Sequence, residues 1–255
     1  RDNLADRPGH AASVDALSEV LQASGRHAEL HAELVRQAER TEQLGEPATA
    51  AVLWARAGAL AEHQLGDVER ALDAYRKSAT LEPSVTVFDA LASIHTARNE
   101  HGTATGWLEK RLERTGREGA EIETYRSTVR RLAEGYRAAG REGDARACLV
   151  QALATDPAAT ELRTFLAELY RGGADWVLLA PLLAEGVEYA PSANEKVALL
   201  RQAAQVQRRR LGALGAAIPL LEHAADLAPE DRSVRLSLAD ALRAANRFAE
   251  ARELL

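Results

Sequence analysis

Four arginines, Arg137, Arg171, Arg208 and Arg243, recur at the same place in four successive stretches of the chain. A guanidinium is a planar fork that grips a carboxylate at two points, so a ladder of them would suit an acidic partner. One helical turn earlier stand Glu134, Glu168, Gln205 and Asp240, and two turns earlier Arg130, Thr164, Arg201 and Leu236. Glu134–Arg137, Glu168–Arg171 and Asp240–Arg243 are also i,i+3 pairs. Each would stabilise its own helix by about 0.2–0.5 kcal/mol and neutralise itself. Arg201 and Arg208 have no acid at that offset. Partner binding and helix salt bridges are therefore rival accounts of the same residues.

Other chemistries find little support. Neither G-x-x-x-x-G-K nor G-x-G-x-x-G occurs, and H-E-x-x-H and G-x-S-x-G are missing as well. His27 and His31 share a helix face and would need a third ligand such as Glu33 or His10 to hold a metal. Beside Arg26 and Glu29 they read as a solvated face, so no metal and no cofactor are expected. Cys148 is the only cysteine, which excludes an internal disulfide and a thiolate zinc site; it reads as a small half-buried apolar residue. Carboxylates are too abundant to single out an acid–base pair. Arg208-Arg209-Arg210 reads as the solvated end of a long helix, where cations suit the dipole. An enzyme is not expected within these residues.

The bulk numbers agree. The net charge is −6 with 27% charged residues, which argues against a nucleic-acid binder that works by counterion release. No run of about 18 apolar residues could span a membrane. The sequence does not fix a compartment, with the cytoplasm favoured. Alanine and arginine richness fits a GC-rich bacterial genome. The chain begins at Arg1 and contains no methionine, so it reads as an excerpt of a longer protein.

The elements that must carry these arginines are helices. Hydrophobic content is 46% but aromatic content only 4%, so alanine and leucine supply the core, and alanine is the best helix former. Val, Ile and Thr are too scattered for a sheet. Turn signals fall at Gly66, Asn99, Gly140, Ala174, Gly212 and Asn246, with spacings of 33, 41, 34, 38 and 34 residues. Taking every second turn gives 74 and 72, or 75 and 72, so the period is read as a pair of units with a longer first helix in every other copy. Long first helices are expected over about 48–65, 121–139 and 194–211, and short ones over about 85–98, 159–171 and 232–245. Pro83, Pro157, Pro191 and Pro229 follow second helices, which proline cannot continue. Pro181 and Pro219 fall at matching sites near the start of two second helices, and predict that these helices start late or bend.

Within each unit the same landmarks recur. Trp54-x2-Ala57-Gly58-x2-Ala61 leads to Ala71-x3-Tyr75 and Pro83. Val129-x2-Leu132-Ala133-x2-Tyr136 leads to Ala145-x3-Leu149 and Pro157. The copies beginning at Phe88, Arg163, Leu200 and Arg235 repeat the pattern with decay. Over about 48–255 these residues resemble the tetratricopeptide-repeat family. The resemblance implies an all-α fold, a right-handed α-solenoid of antiparallel helical hairpins whose concave inner face binds peptides or protein surfaces.

Units are expected at about 48–83, 84–117, 118–157, 158–191, 192–229 and 230–255, the last incomplete. Residues 1–47 read as a further, divergent hairpin, with a non-repeat cap as the competing view. The chain stops partway along a second helix with no polar cap, so the natural protein is expected to continue.

On this reading the chain is a non-catalytic scaffold or adaptor. Its groove contacts would be Arg130, Arg137, Arg171, Arg201, Arg208, Arg243, Glu134 and Glu168, and its partner a protein or peptide, acidic on the arginine reading. The first two hairpins would offer a more apolar groove of Ala55, Ala59 and Ser93. A clamp for chaperone C-termini is not expected, because the lysines and paired asparagines it needs are missing from the groove sites. The rival readings are a regulatory segment of a larger enzyme and a solenoid that self-associates through its open terminal hairpins.

Overall fold

The computed structural model describes Leu4 and residues 7–118 and 121–254. Among the described residues there are fourteen α-helices and no strand. The chain divides into two compact units, residues 1–141 and 142–255. The first holds α1 (Ala11–Ala23), α2 (His27–Gln43), α3 (Pro47–Leu60), α4 (Val68–Leu81), α5 (Val85–Ala97), α6 (His101–Glu118) and α7 (Ile122–Ala138). The second holds α8 (Glu142–Thr155), α9 (Thr160–Gly172), α10 (Trp176–Glu185), α11 (Ala193–Arg209), α12 (Leu214–Leu227), α13 (Arg232–Ala244) and α14 (Phe248–Glu253). A π-helical turn over Ala61–Leu65 prolongs α3, and a 3₁₀ turn over Gly186–Tyr189 follows α10.

Helices end where the chain turns left-handed. Gly25, Gly66, Asn99, Gly140, Ala174, Gly212 and Asn246 all have φ between 57° and 73°. Most of these turns close by an N–H reaching back five residues, as in Arg141 to the Tyr136 carbonyl at 2.8 Å and Asp175 to that of Tyr170 at 2.9 Å. Two turns reach back six instead, Asp67 to Ala61 at 2.9 Å and Ala213 to Gln207 at 2.8 Å. Both turns open stretches, residues 65–83 and 211–229, whose sequences align without a gap, so the wider closure recurs where the sequence does. Asp67 caps α4 through Arg70 N–H at 3.1 Å, and Asp231 caps α13 through Ser233 N–H at 2.8 Å.

The landmark residues form the cores. In the first unit Trp54, Phe88, Leu91, Val129 and Leu132 are buried, as are Ala71, Leu72 and Tyr75 on the helix paired with α3. Gly58 is there because Tyr75 packs onto it: a Cβ at this position would lie 2.7 Å from the ring. In the second unit Leu166, Leu179, Leu183, Leu200, Leu221 and Leu238 take the corresponding places. Two polar residues hold apolar landmark positions and find internal partners for part of their polar groups, while His95 Nε2 and Arg163 Nε are buried without one. His95, where Tyr136 stands in another copy, meets Glu100 at 2.5 Å. Arg163, where Trp54 and Phe88 stand, is buried and donates to the Pro157 carbonyl at 2.8 Å.

The prolines require a correction. α10 begins at Trp176 and α12 at Leu214, so Pro181 and Pro219 lie inside their helices and those helices do not start late. Burial of Leu179 and Leu183, and of Ala217 and Leu221, outweighs the lost hydrogen bond.

Candidate functional site

In the first unit the first helices of successive hairpins are tied by arginines. From α3, Arg56 reaches Asp15 at 2.7 Å and Ser18 at 3.0 Å on α1. From α7, Arg131 reaches Asp89 and, at 3.2 Å, Ser93 on α5, while Arg111 of α6 holds the other Asp89 oxygen at 2.6 Å. The two sets are offset by 74 or 75 residues, the double period of the turns. That offset was a signal in the sequence for which side chains span neighbouring hairpins.

Between α3 and α5 lies a cavity of about 630 Å³ floored by Ala48, Val52, Ala55, Ala59 and Val85, with Arg56 at its edge. Val52 is 59% exposed, so the groove offers apolar surface to solvent. Ala55 and Ala59 are where the sequence placed them; Ser93 lies outside this lining. Nearby, burial and then the hydrogen bond to Glu62 at 2.9 Å push the Tyr75 phenol's ionisation upward. Burial, and after it Arg70, holds the His31 imidazole below its ordinary range. Among the described residues no three His, Cys, Asp or Glu side chains gather where they could hold a metal.

The second unit has a cavity of about 500 Å³ between α9, α10 and α11. Arg171, Arg209, Arg210 and Trp176 surround it, Leu179 and Val206 contribute apolar surface, and no carboxylate lines it. Arg171 crosses from α9 to Gln202 on α11 at 2.7 Å. The Arg210 guanidinium lies 4.6 Å from the centre of the Trp176 ring.

The sequence-predicted residues separate accordingly. Arg171 lines the arginine groove, whereas Arg208 is half-buried outside its lining and Arg209 and Arg210 take that place. Arg201, Arg243 and Glu168 are exposed. The Arg201 charge is a minor reason why the Asp231 carboxyl sits below its usual range; hydrogen bonds from Ser233 are the larger one. Arg137 is exposed at the end of α7, and Glu134 meets Arg130 at 3.5 Å across one turn. Glu168 does not pair with Arg171, nor Asp240 with Arg243: the first of these arginines turns to the next hairpin, where Gln202 accepts it. Trp176, Arg209, Arg210, Arg56 and Arg131 are the surface residues that reading down equivalent positions missed.

Residues 51–85 and residues 209–255 each match the tetratricopeptide-repeat family. A structure of Naa15/Naa10 bound to HypK-THB is similar over 95% of this chain and 35% of that one, at 17% identity and a TM-score of 0.54, and it supports the fold. The chain thus spans about a third of that relative's length. YrrB, described as a TPR protein with an unusual peptide-binding site, is similar over 77% of this chain and 92% of that one, at 19% identity and a TM-score of 0.43. Cut9–Hcn1 of the APC/C is similar over 79% of this chain and 44% of that one, at 17% identity and a TM-score of 0.38. No curated protein matches the chain in sequence.

With repeats matched over residues 51–85 and 209–255, the chain carries tetratricopeptide repeats in an all-α, solenoid-type fold. Such repeats serve in general as protein-interaction scaffolds. No helix among the described residues is long and apolar enough to cross a membrane.

Proposed function

We propose that this chain is a non-catalytic scaffold that captures protein segments along the first-helix faces of its hairpins, and that the second unit takes an acidic segment. The observation that carries the proposal is the groove of Arg171, Arg209 and Arg210 beside Trp176 without a single carboxylate in its lining. Arginine forks suit carboxylates, and the neighbouring indole gives an apolar residue of the same segment somewhere to pack. In the first unit the α3–α5 groove fits an apolar stretch of a partner instead. Residues 1–47, whose α1 supplies Asp15 and Ser18 to Arg56, fit the same array as a divergent hairpin.

The test is fluorescence anisotropy with a labelled Glu-rich peptide carrying one leucine. Exchanging Arg171 and Arg209 together for Glu is expected to weaken binding more than about tenfold. Arg208→Glu makes the same kind of charge change outside the groove and is expected to cost much less. Equal losses from the two would reduce the attraction to general charge, and unchanged affinity in the double variant would remove the groove.

A further inference from the structure

The second unit has another groove that shares no residue with the arginine-lined one. It encloses about 490 Å³ between α8, α9 and α10, and the latter helix presents Leu178, Pro181, Leu182 and Glu185 to it. Those positions follow i, i+3, i+4, i+7, the stripe of one helix face, whereas Trp176, Leu179 and Leu183 face the arginine groove.

Its rim is unusually apolar for an outward surface. Val150 is 47% exposed, Leu178 51% and the adjoining Val177 71%. They are three of the ten large apolar side chains exposed among the described residues. Pro181 adds a polar opening. Lacking an N–H, it leaves the Val177 carbonyl without its usual helical donor, at the edge of the patch.

The charges at the groove are unequal in availability. The Arg163 side chain is only 9% exposed; it donates to the Pro157 carbonyl at 2.8 Å and lies 5.3 Å from the centre of the Tyr189 ring. Its charge is thus held inside. Glu185 comes within 3.8 Å of Arg163 yet remains 69% exposed, and Glu188, one turn further on, is exposed with no ion-pair partner among the described residues. The accessible charge at this groove is negative and its floor is apolar.

We infer that this groove is a second docking surface, and that it takes an amphipathic helical segment bearing leucine-type side chains and lysine or arginine. Apolar residues of the segment would cover Val150, Leu178 and Leu182, and its cations would meet Glu185, Glu188 and the open Val177 carbonyl. The two grooves of this unit would then select opposite charges.

A labelled amphipathic peptide of leucine and lysine, about five helical turns long, is the probe, with its leucine–glutamate counterpart as the control. Anisotropy is expected to show saturable binding of the first that survives exchange of Arg171 and Arg209 for Glu, whereas the second, which the arginine groove can hold, is lost in that double variant. Leu178→Asp is expected to weaken binding about tenfold or more. This substitution adds a carboxylate, so undirected attraction to an acidic protein would rise, not fall. Exchanging Glu185 and Glu188 for Gln should weaken binding severalfold and flatten its dependence on salt. Should Leu178→Asp unfold the protein by circular dichroism, Val150→Asp on α8 serves in its place. Absence of saturable binding, equal binding of the glutamate peptide once Arg171 and Arg209 are exchanged for Glu, or unchanged or tighter binding by the Asp variant would overturn the inference.

Discussion

At the scale of single residues, the turn between α9 and α10 shows how one side chain dictates the conformation of its neighbour. Gly173 is adjacent to Ala174, yet it is the alanine that has φ of 57°. The glycine is needed for a different purpose. A Cβ there would lie 2.1 Å from the Arg146 guanidinium, which pairs with Asp175 at 2.7 Å and donates to the Leu169 carbonyl at 3.3 Å. The left-handed conformation then falls to a residue that pays for it in Cβ–carbonyl repulsion. Ala174→Gly should therefore raise stability by about 0.5–1 kcal/mol, after the greater freedom of glycine in the unfolded chain is subtracted. Urea denaturation reads this directly, and an unchanged or lower midpoint would show that the turn is not strained. The sequence marked Ala174 as a turn residue from its spacing. It could not show why glycine was one place early, because Arg146 belongs to another helix.

At the scale of the helix, two glycines in similar settings have opposite meanings. Gly58 of α3 lies against Tyr75, which is buried and tethered through its hydroxyl to Glu62, so the ring cannot retreat. Gly106 of α6 has nothing within 4 Å of where a Cβ would be. Gly58→Ala is expected to destabilise the protein by about 1–3 kcal/mol. Gly106→Ala should stabilise it by up to about 1 kcal/mol, through helix propensity alone. Thermal or urea unfolding of the pair must give opposite signs; a gain at Gly58 would mean that the close approach to Tyr75 is not what limits it, and a loss at Gly106 that the open space there is not what the alanine meets. The helices themselves were legible from apolar period and turn residues, and α5, α9 and α13 end within one residue of the expected limits. The late start expected at Pro181 and Pro219 does not occur because proline acts on local hydrogen bonds, whereas Leu179, Leu183, Ala217 and Leu221 hold their helices by burial against neighbours.

At the scale of the molecule, the division into two compact units bears on how the chain unfolds. In arrays of hairpins each element is stabilised mainly by its neighbours, so damage stays near where it is made. Trp54 and Trp107 lie in the first unit and Trp176 in the second. In a Gly58→Ala background, the transition reported by Trp54 or Trp107 should move to lower urea, and that of Trp176 should move less. Single-tryptophan variants, with phenylalanine at the other sites, measure this by fluorescence. Equal displacement of all three would show instead that the whole chain is one cooperative block.

What the sequence determined alone is the hairpin scaffold. Helix period, left-handed turn residues and small landmark residues are all encoded within a few positions of one another, and they act through local sterics and burial. Which arginines are available to a partner is a different kind of fact. Arg130 and Arg131 are adjacent in sequence but about 100° apart around α7, and only the second reaches Asp89 and Ser93 on α5. Arg171 turns to Gln202 although Glu168 stands one turn away on its own helix, and Arg209 and Arg210 join it around Trp176 while Arg208 does not. Those outcomes depend on the reach of side chains from neighbouring helices, and only the tertiary structure brings those helices together.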